Sequence, residues 1–122
     1  MYEEYLGTGY HDKVRKLLTA DDKLLPDRII DADANIGAMK RIIAPAADKR
    51  NIFYGGIHTE EDFNKLSEAA VYILCGVLCT ALKSRTSSPP YNLPKYKKNW
   101  DKKRDKLMKK GNLLITELMT LG

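Results

Sequence analysis

Apolar residues recur along this chain at intervals of three and four positions, the spacing that places them on one face of an α-helix. A first, short helix is predicted over about residues 10–18. A second is predicted from its apolar residues at steps of 4, 3, 4, 3 and 4, which are Leu25, Ile29, Ala32, Ile36, Met39 and Ile43. Pro26 and Asp27 are typical of a helix start, and Pro45 predicts that this helix ends before it.

The middle of the chain predicts a long loop followed by the central helix. Residues 44–58, with the sequence APAADKRNIFYGGIH, carry the proline and glycine punctuation of a loop. Thr59 is a typical N-cap, and Asp62 is a weaker form of its capping-box partner. The segment that follows is apolar on most of its circumference, which predicts a buried helix. Its uncharged run, residues 69–82, has 14 residues, fewer than the roughly 20 needed to cross a bilayer, so we expect no membrane partner.

A proline- and serine-rich linker separates this helix from the last one. Residues 84–94, SRTSSPPYNLP, are predicted to be non-helical. The last helix is predicted over about residues 95–121. One face of it is apolar and carries Tyr96, Trp100, Leu107, Leu114, Leu118 and Leu121. Together these segments predict an all-α fold: one domain over residues 1–122, a compact bundle of about four helices, with residues 1–9 as a flexible N-terminus.

The charge of the chain is concentrated in the last helix. The formal net charge is +5, but residues 95–110 hold nine Lys or Arg residues against Asp101 and Asp105, a local charge of +7 that leaves −2 for the remainder. Four of these lysines follow one another at steps of four, namely Lys98, Lys102, Lys106 and Lys110. Like charges at this spacing repel by about 0.2 to 0.5 kcal/mol per adjacent pair.

Three interpretations of this basic segment remain open: a solvated face, a contact with nucleic acid, or a contact with an acidic protein. The candidate contact residues are Lys98, Lys102, Lys103, Arg104, Lys106 and Lys110. Lysine dominates, and Arg104 and Asn99 are the segment's single arginine and asparagine. This composition favours phosphate or protein contact over the reading of base edges.

No constellation of residues predicts catalysis, a cofactor or a metal. His11 and His58 are the two histidines, and both fall in or beside predicted loops. Cys75 and Cys79 lie inside the apolar run, where they are expected to be small buried hydrophobes. The acidic pairs, Asp31 with Asp33 and Glu60 with Glu61, and the GTG triplet at residues 7–9 lack the context of a catalytic or phosphate-binding motif. The N-terminus has no signal-peptide pattern, which favours the cytoplasm of a host cell.

The order of the segments resembles that of the head-tail connector proteins of long-tailed bacteriophages and prophages, also called adaptor or head-completion proteins. The resemblance covers roughly residues 14–119. In chain order these comprise a short helix, the segment TADDKLLPDRIIDADANIGAMKRII, a variable loop, a helix beginning TEEDFNKLSEAAVYILCGVLCTAL, and the long basic last helix NWDKKRDKLMKKGNLLITELM. Its local cues are LPD at Leu25–Asp27, the alanine pair Ala69–Ala70, and the basic stretch from Trp100 to Gly111.

The resemblance implies a non-enzymatic subunit of a virion. In that family a small helical protein forms a ring, dodecameric by the resemblance, beneath the portal protein. The ring continues the channel for genomic DNA and supports the stopper or tail-completion protein. The expected location is the head–tail interface of a particle assembled in the host cytoplasm, with the lysines facing DNA or the acidic rim of the portal. The alternative is a small basic DNA-binding protein, of regulator or nucleoid type, that uses residues 95–110.

Overall fold

The computed structural model describes residues 6–50, 52 and 59–120, and in these ranges the chain is an all-α bundle without strands. This confirms the predicted fold class. The helices are α1 (Tyr10–Leu18), α2 (Asp27–Ile30), α3 (Asp33–Lys49), α4 (Glu60–Arg85) and α5 (Trp100–Thr120), with a short 3₁₀ turn at Pro94–Tyr96 before α5.

Helix α4 is the centre of the bundle, as predicted. It packs most extensively against α5, and α3 and α1 cover its other sides. Thr59 caps it, since its Oγ1 accepts the Asp62 N–H at 3.0 Å. The helix is long and apolar enough to cross a membrane, but 67% of its most apolar window is buried inside the bundle, as in the core helix of a packed domain. Cys75 and Cys79 are buried free thiols within it.

Two glycines allow α4 and α5 to approach closely. A Cβ added to Gly111 of α5 would lie 2.5 Å from Ile73 Cδ1 and 3.3 Å from the Ala69 carbonyl oxygen of α4. A Cβ added to Gly76 of α4 would meet the end of the Met108 side chain at 2.5 Å. Gly111, which faces a buried side chain and a backbone carbonyl, therefore restricts the distance between these helices more than Gly76 does.

The predicted single helix through Leu25 and Ile43 is wrong at one point, because it breaks between α2 and α3. The carboxylate of Asp31 is held toward α1, where it accepts a hydrogen bond from Tyr10 OH at 2.5 Å and lies 2.9 Å from His11 Nε2. The Asn35 side-chain amide donates to the Ile29 carbonyl at 2.8 Å. The Ile29 carbonyl thus accepts both this amide and the Ala32 N–H, and Ile30 is buried there while Ile29 is half-buried.

The prediction that Pro45 ends this helix, and that the loop begins at Ala44, is also wrong. Helix α3 continues through Pro45 to Lys49, although proline removes a hydrogen bond and crowds the preceding turn. The residues on either side, Ile43, Ala46 and Ala47, are fully buried, so packing outweighs the local penalty. Of the predicted loop 44–58, Ile52 is buried, and residues 51 and 53–58 lie outside the described residues.

The segment between α4 and α5 is held to the rest of the bundle by hydrogen bonds near both of its ends. Buried Thr86 accepts a hydrogen bond from Trp100 Nε1 at 3.1 Å, and Tyr96 OH donates to Asp21 at 2.8 Å. Residues 86–93 of the linker are non-helical as predicted, but Ser84 and Arg85 still belong to α4, and α5 begins at Trp100 rather than at Lys95. The cause is local, since Pro94 starts a 3₁₀ turn and Asn99 Oδ1 then accepts the Lys102 N–H at 3.0 Å.

The predicted flexible N-terminus, residues 1–9, can be compared with the structure from Leu6 onward. Leu6 is fully buried in the core, so this part of the predicted flexible segment is packed. Residues 1–5 lie outside the described residues. Gly7 and Gly9 both have positive φ angles, 87° and 75°, and form the turn that leads into α1.

Candidate anion-binding site

The six basic residues singled out in the sequence do not share one environment, and Lys98 differs most. Its Nζ donates to the carbonyl oxygens of Leu18 and Thr19, each at 2.9 Å. These are the last carbonyls of α1, where a cation also meets the negative end of the helix dipole. The ammonium lies 5.2 Å from the Trp100 ring centroid. Partial burial, and then the charge of Lys103, lower the pKa of Lys98.

Arg104 lies among acidic side chains. Its guanidinium is 3.6 Å from Asp101 and 3.5 Å from Asp105. Asp101 is also 2.6 Å from Lys83 Nζ of α4. The hydrogen bond from Lys83, with a smaller contribution from Arg104, lowers the pKa of Asp101. Asp101 and Asp105, the two acids of the basic segment, therefore offset positive charge on the side of α5 that carries Arg104.

The remaining four lysines lie together in a groove of about 320 Å³ between α5 and α1. We call it the lysine groove; it is lined by Leu17, Asn99, Lys102, Lys103, Lys106, Leu107 and Lys110. Lys103 is half-buried and the other three are exposed. Over residues 6–50, 52 and 59–120, no carboxylate oxygen lies within 4.0 Å of any of the four ammonium groups. The groove is therefore a concentrated positive surface with an apolar floor.

A second, larger cavity continues from the lysine groove. It measures about 760 Å³, lies between α1 and the N-terminal half of α4, and shares Leu17 with the lysine groove. Exposed Lys13 and Lys16 of α1 line it, as does Tyr72 of α4. Lys110 Nζ lies 5.7 Å from the Tyr72 ring centroid, so the two cavities meet there. We call this second cavity the apolar groove.

The sequence did not single out Lys13, Lys16 or Tyr72. Lys13 and Lys16 are three positions apart on α1, a spacing that places both on one face. That spacing was the available signal. Their position beside the lysines of α5 depends on how α1 packs across the bundle, which no local pattern specifies.

The other candidate residues are dispersed. His11 pairs with Asp31, His58 lies outside the described residues, and Asp33 is exposed away from that pair. Burial raises the pKa of the Cys75 thiol to about 12 and that of the Cys79 thiol to about 11, so both are poor nucleophiles at neutral pH. Within the described part of the chain, no three His, Cys, Asp or Glu side chains are grouped as metal ligands.

Comparison with known proteins assigns no family to this arrangement. No family model, no curated protein and no solved structure matches the chain. The resemblance to head-tail connectors therefore stays a prediction from the order and pattern of the helices.

Proposed function

We propose that this chain is a non-enzymatic structural subunit that forms rings and binds the DNA backbone through the lysine groove. The proposal combines the helix order, which resembles that of phage head-tail connectors, with the geometry of α5. The observation that carries it is that Lys102, Lys103, Lys106 and Lys110 line one groove without an acidic partner among the described residues. Phosphates along DNA would neutralise this cluster.

The chemistry of the groove favours the backbone over the bases. A lysine ammonium is a compact point charge, whereas base edges are read mainly by the planar groups of Arg, Asn and Gln. Arg104 contacts Asp101 and Asp105, and Asn99 Oδ1 accepts the Lys102 N–H. Binding of this kind is independent of sequence, as a channel for a whole genome requires.

The proposed partners follow from the connector role. They are further copies of the chain in a ring, dodecameric by the resemblance, the portal protein on one side and a stopper or tail-completion protein on the other. The proposed location is the head–tail interface of the virion, after assembly in the host cytoplasm. Leu113 and Met119, which are 57% and 37% exposed on α5, offer apolar surface for a neighbouring copy.

The ring is tested by native mass spectrometry over a concentration series. A closed ring of many copies, alone or on addition of the portal protein, is the expected result. A stable dimer that binds DNA would contradict the connector role and favour the alternative, a small basic DNA-binding protein.

The DNA site is tested by titrating duplex DNA at several salt concentrations. Four phosphate contacts predict that log K falls with log salt with a slope of about −3 to −4. The double variant Lys102→Glu/Lys106→Glu should lose about 100-fold or more in affinity at low salt. The matched control is Lys97→Glu/Lys109→Glu, which changes the charge equally outside the groove and should retain most binding. Equal losses in both variants would refute the groove as the site.

A further inference from the structure

The apolar groove has the shape of a site for a helix rather than for a nucleic acid. Its floor includes Leu17, Val71 and Phe63, and its wall on α4 runs from Phe63 to Tyr72. At 1.5 Å per residue that wall is about 14 Å long, or about two and a half helical turns. This length accommodates apolar side chains at positions i, i+3 or i+4, and i+7 of a docked helix.

The rim of the apolar groove is basic on its α1 side and where it meets the lysine groove. Lys13 and Lys16 line the α1 side and are exposed. Lys110 lies over Tyr72 where the groove meets α5. Glu68 is the acidic residue in the lining, so the lysines outnumber it. A ligand with an apolar face and acidic flanks matches both the floor and the rim.

We infer that the apolar groove is a docking site for an acidic amphipathic helix of a partner protein. The inference goes beyond the proposed DNA contact, which uses the lysines of α5. A DNA strand fits this cavity less well than the lysine groove, since two lysines and Glu68 line this larger cavity whereas four lysines line the smaller groove. A helix with leucines toward Leu17 and Val71, and glutamates toward Lys13 and Lys16, satisfies both surfaces.

The test uses a synthetic probe of defined chemistry. A fluorescein-labelled peptide of about 15 residues carries leucines at i, i+3, i+4 and i+7 and glutamates elsewhere. A control peptide has the same composition in an order that gives no apolar face. Fluorescence anisotropy with the full chain should show at least about tenfold tighter binding of the amphipathic peptide. Equal affinities would overturn the inference.

Two variants locate the contact. Lys13→Glu/Lys16→Glu alters the rim without touching the core, and Tyr72→Ser shortens the wall. Each should weaken peptide binding by about tenfold, with folding verified by thermal melting. The control Lys97→Glu/Lys109→Glu should change it by less than about twofold. If this control weakened peptide binding equally, the effect would be one of net charge alone, and the docking site would be rejected.

Backbone amide shifts distinguish this site from the lysine groove. Binding of the peptide should shift the resonances of Asn64, Ser67 and Glu68 on α4. Shifts confined to the α5 lysines would overturn the inference. Duplex DNA affinity should be unchanged by Tyr72→Ser, so a failure of peptide docking and a failure of DNA binding are separate results.

Discussion

Lys98 shows how one residue of a charged row can serve the fold. It belongs to the row spaced by four in the sequence, yet its ammonium donates to the Leu18 and Thr19 carbonyls. A charged donor at two terminal carbonyls stabilises the end of α1. The same ammonium lies 5.2 Å from the Trp100 ring centroid. The sequence pattern could not separate it from Lys102, because the carbonyls it binds lie about 80 residues earlier in the chain.

Replacing Lys98 by Met should therefore lower stability while sparing DNA binding. The change keeps an unbranched side chain but removes both hydrogen bonds to α1 and the cation beside the Trp100 ring. Because the site is partly exposed, we expect a loss of about 1 kcal/mol in the free energy of unfolding, measured by urea denaturation. Lys97→Met, at an exposed neighbouring position, should change stability by less than about 0.5 kcal/mol. A variant as stable as the parent chain would contradict the capping role.

Among the helices, periodicity correctly predicted those whose ends are determined by residues nearby in the sequence. The limits of α1 and the start of α4 after Thr59 match the prediction, since spacing and a capping residue define them. The break between α2 and α3 does not follow from local sequence, because it depends on Asp31 reaching Tyr10 and His11. The continuation of α3 through Pro45 likewise depends on tertiary burial.

The candidate site was predictable to a similar extent. The basic residues between positions 95 and 110 were evident from composition, but their division into a cap, an acid-paired group and a groove required the packing of α1 and α4 against α5. The apolar groove left no signal in the local pattern, since its two walls come from helices about 50 residues apart in sequence.

The close contact between α4 and α5 gives a matched pair of glycine variants. Gly111→Ala places a methyl group against Ile73, which is fully buried and cannot move away. We expect a net loss of about 1 to 3 kcal/mol in the free energy of unfolding, despite the better helix propensity of alanine. Gly76→Ala meets the flexible, half-exposed end of Met108. It should be neutral or stabilising by up to about 1 kcal/mol.

Urea denaturation of the two glycine variants under identical conditions is the measurement. Similar changes at the two positions would show that the helices adjust their separation freely. That result would contradict the close approach set by Gly111.

Across the whole molecule, two groups of cationic side chains contrast most clearly among the described residues. Some close the ends of helices from another element: Lys98 caps α1, and Arg50 after α3 donates to the Leu118 carbonyl of α5 at 2.7 Å. The lysines of the groove contact no described acid, and their mutual repulsion opposes folding. A cluster of like charges lowers the stability of the isolated chain, and a bound anion would offset that repulsion. Such a cluster is typical of a surface selected for binding.

This repulsion predicts that the double variant Lys102→Gln/Lys106→Gln is more stable than the parent chain. It relieves like-charge repulsion in the helical row Lys102, Lys106 and Lys110, where the two adjacent pairs each contribute about 0.2 to 0.5 kcal/mol. The gain should be about 0.4 to 1 kcal/mol at low ionic strength, and it should shrink in high salt as screening weakens the repulsion. Thermal melting of both proteins across a salt series measures it.

Inorganic polyphosphate added to the same melts separates binding from simple screening. It should raise the melting temperature of the parent chain, since a ligand of the folded state stabilises it, and should have little effect on Lys102→Gln/Lys106→Gln. Lys97→Gln/Lys109→Gln should keep the response to polyphosphate and show no gain at low salt, because Lys109 lies one turn from the opposite charge of Asp105. If the groove variant were no more stable at low salt and responded to polyphosphate as the parent does, the lysines would be an ordinary solvated face. The stability of the isolated chain and the proposed binding of anions therefore depend on the same four side chains, with opposite sign.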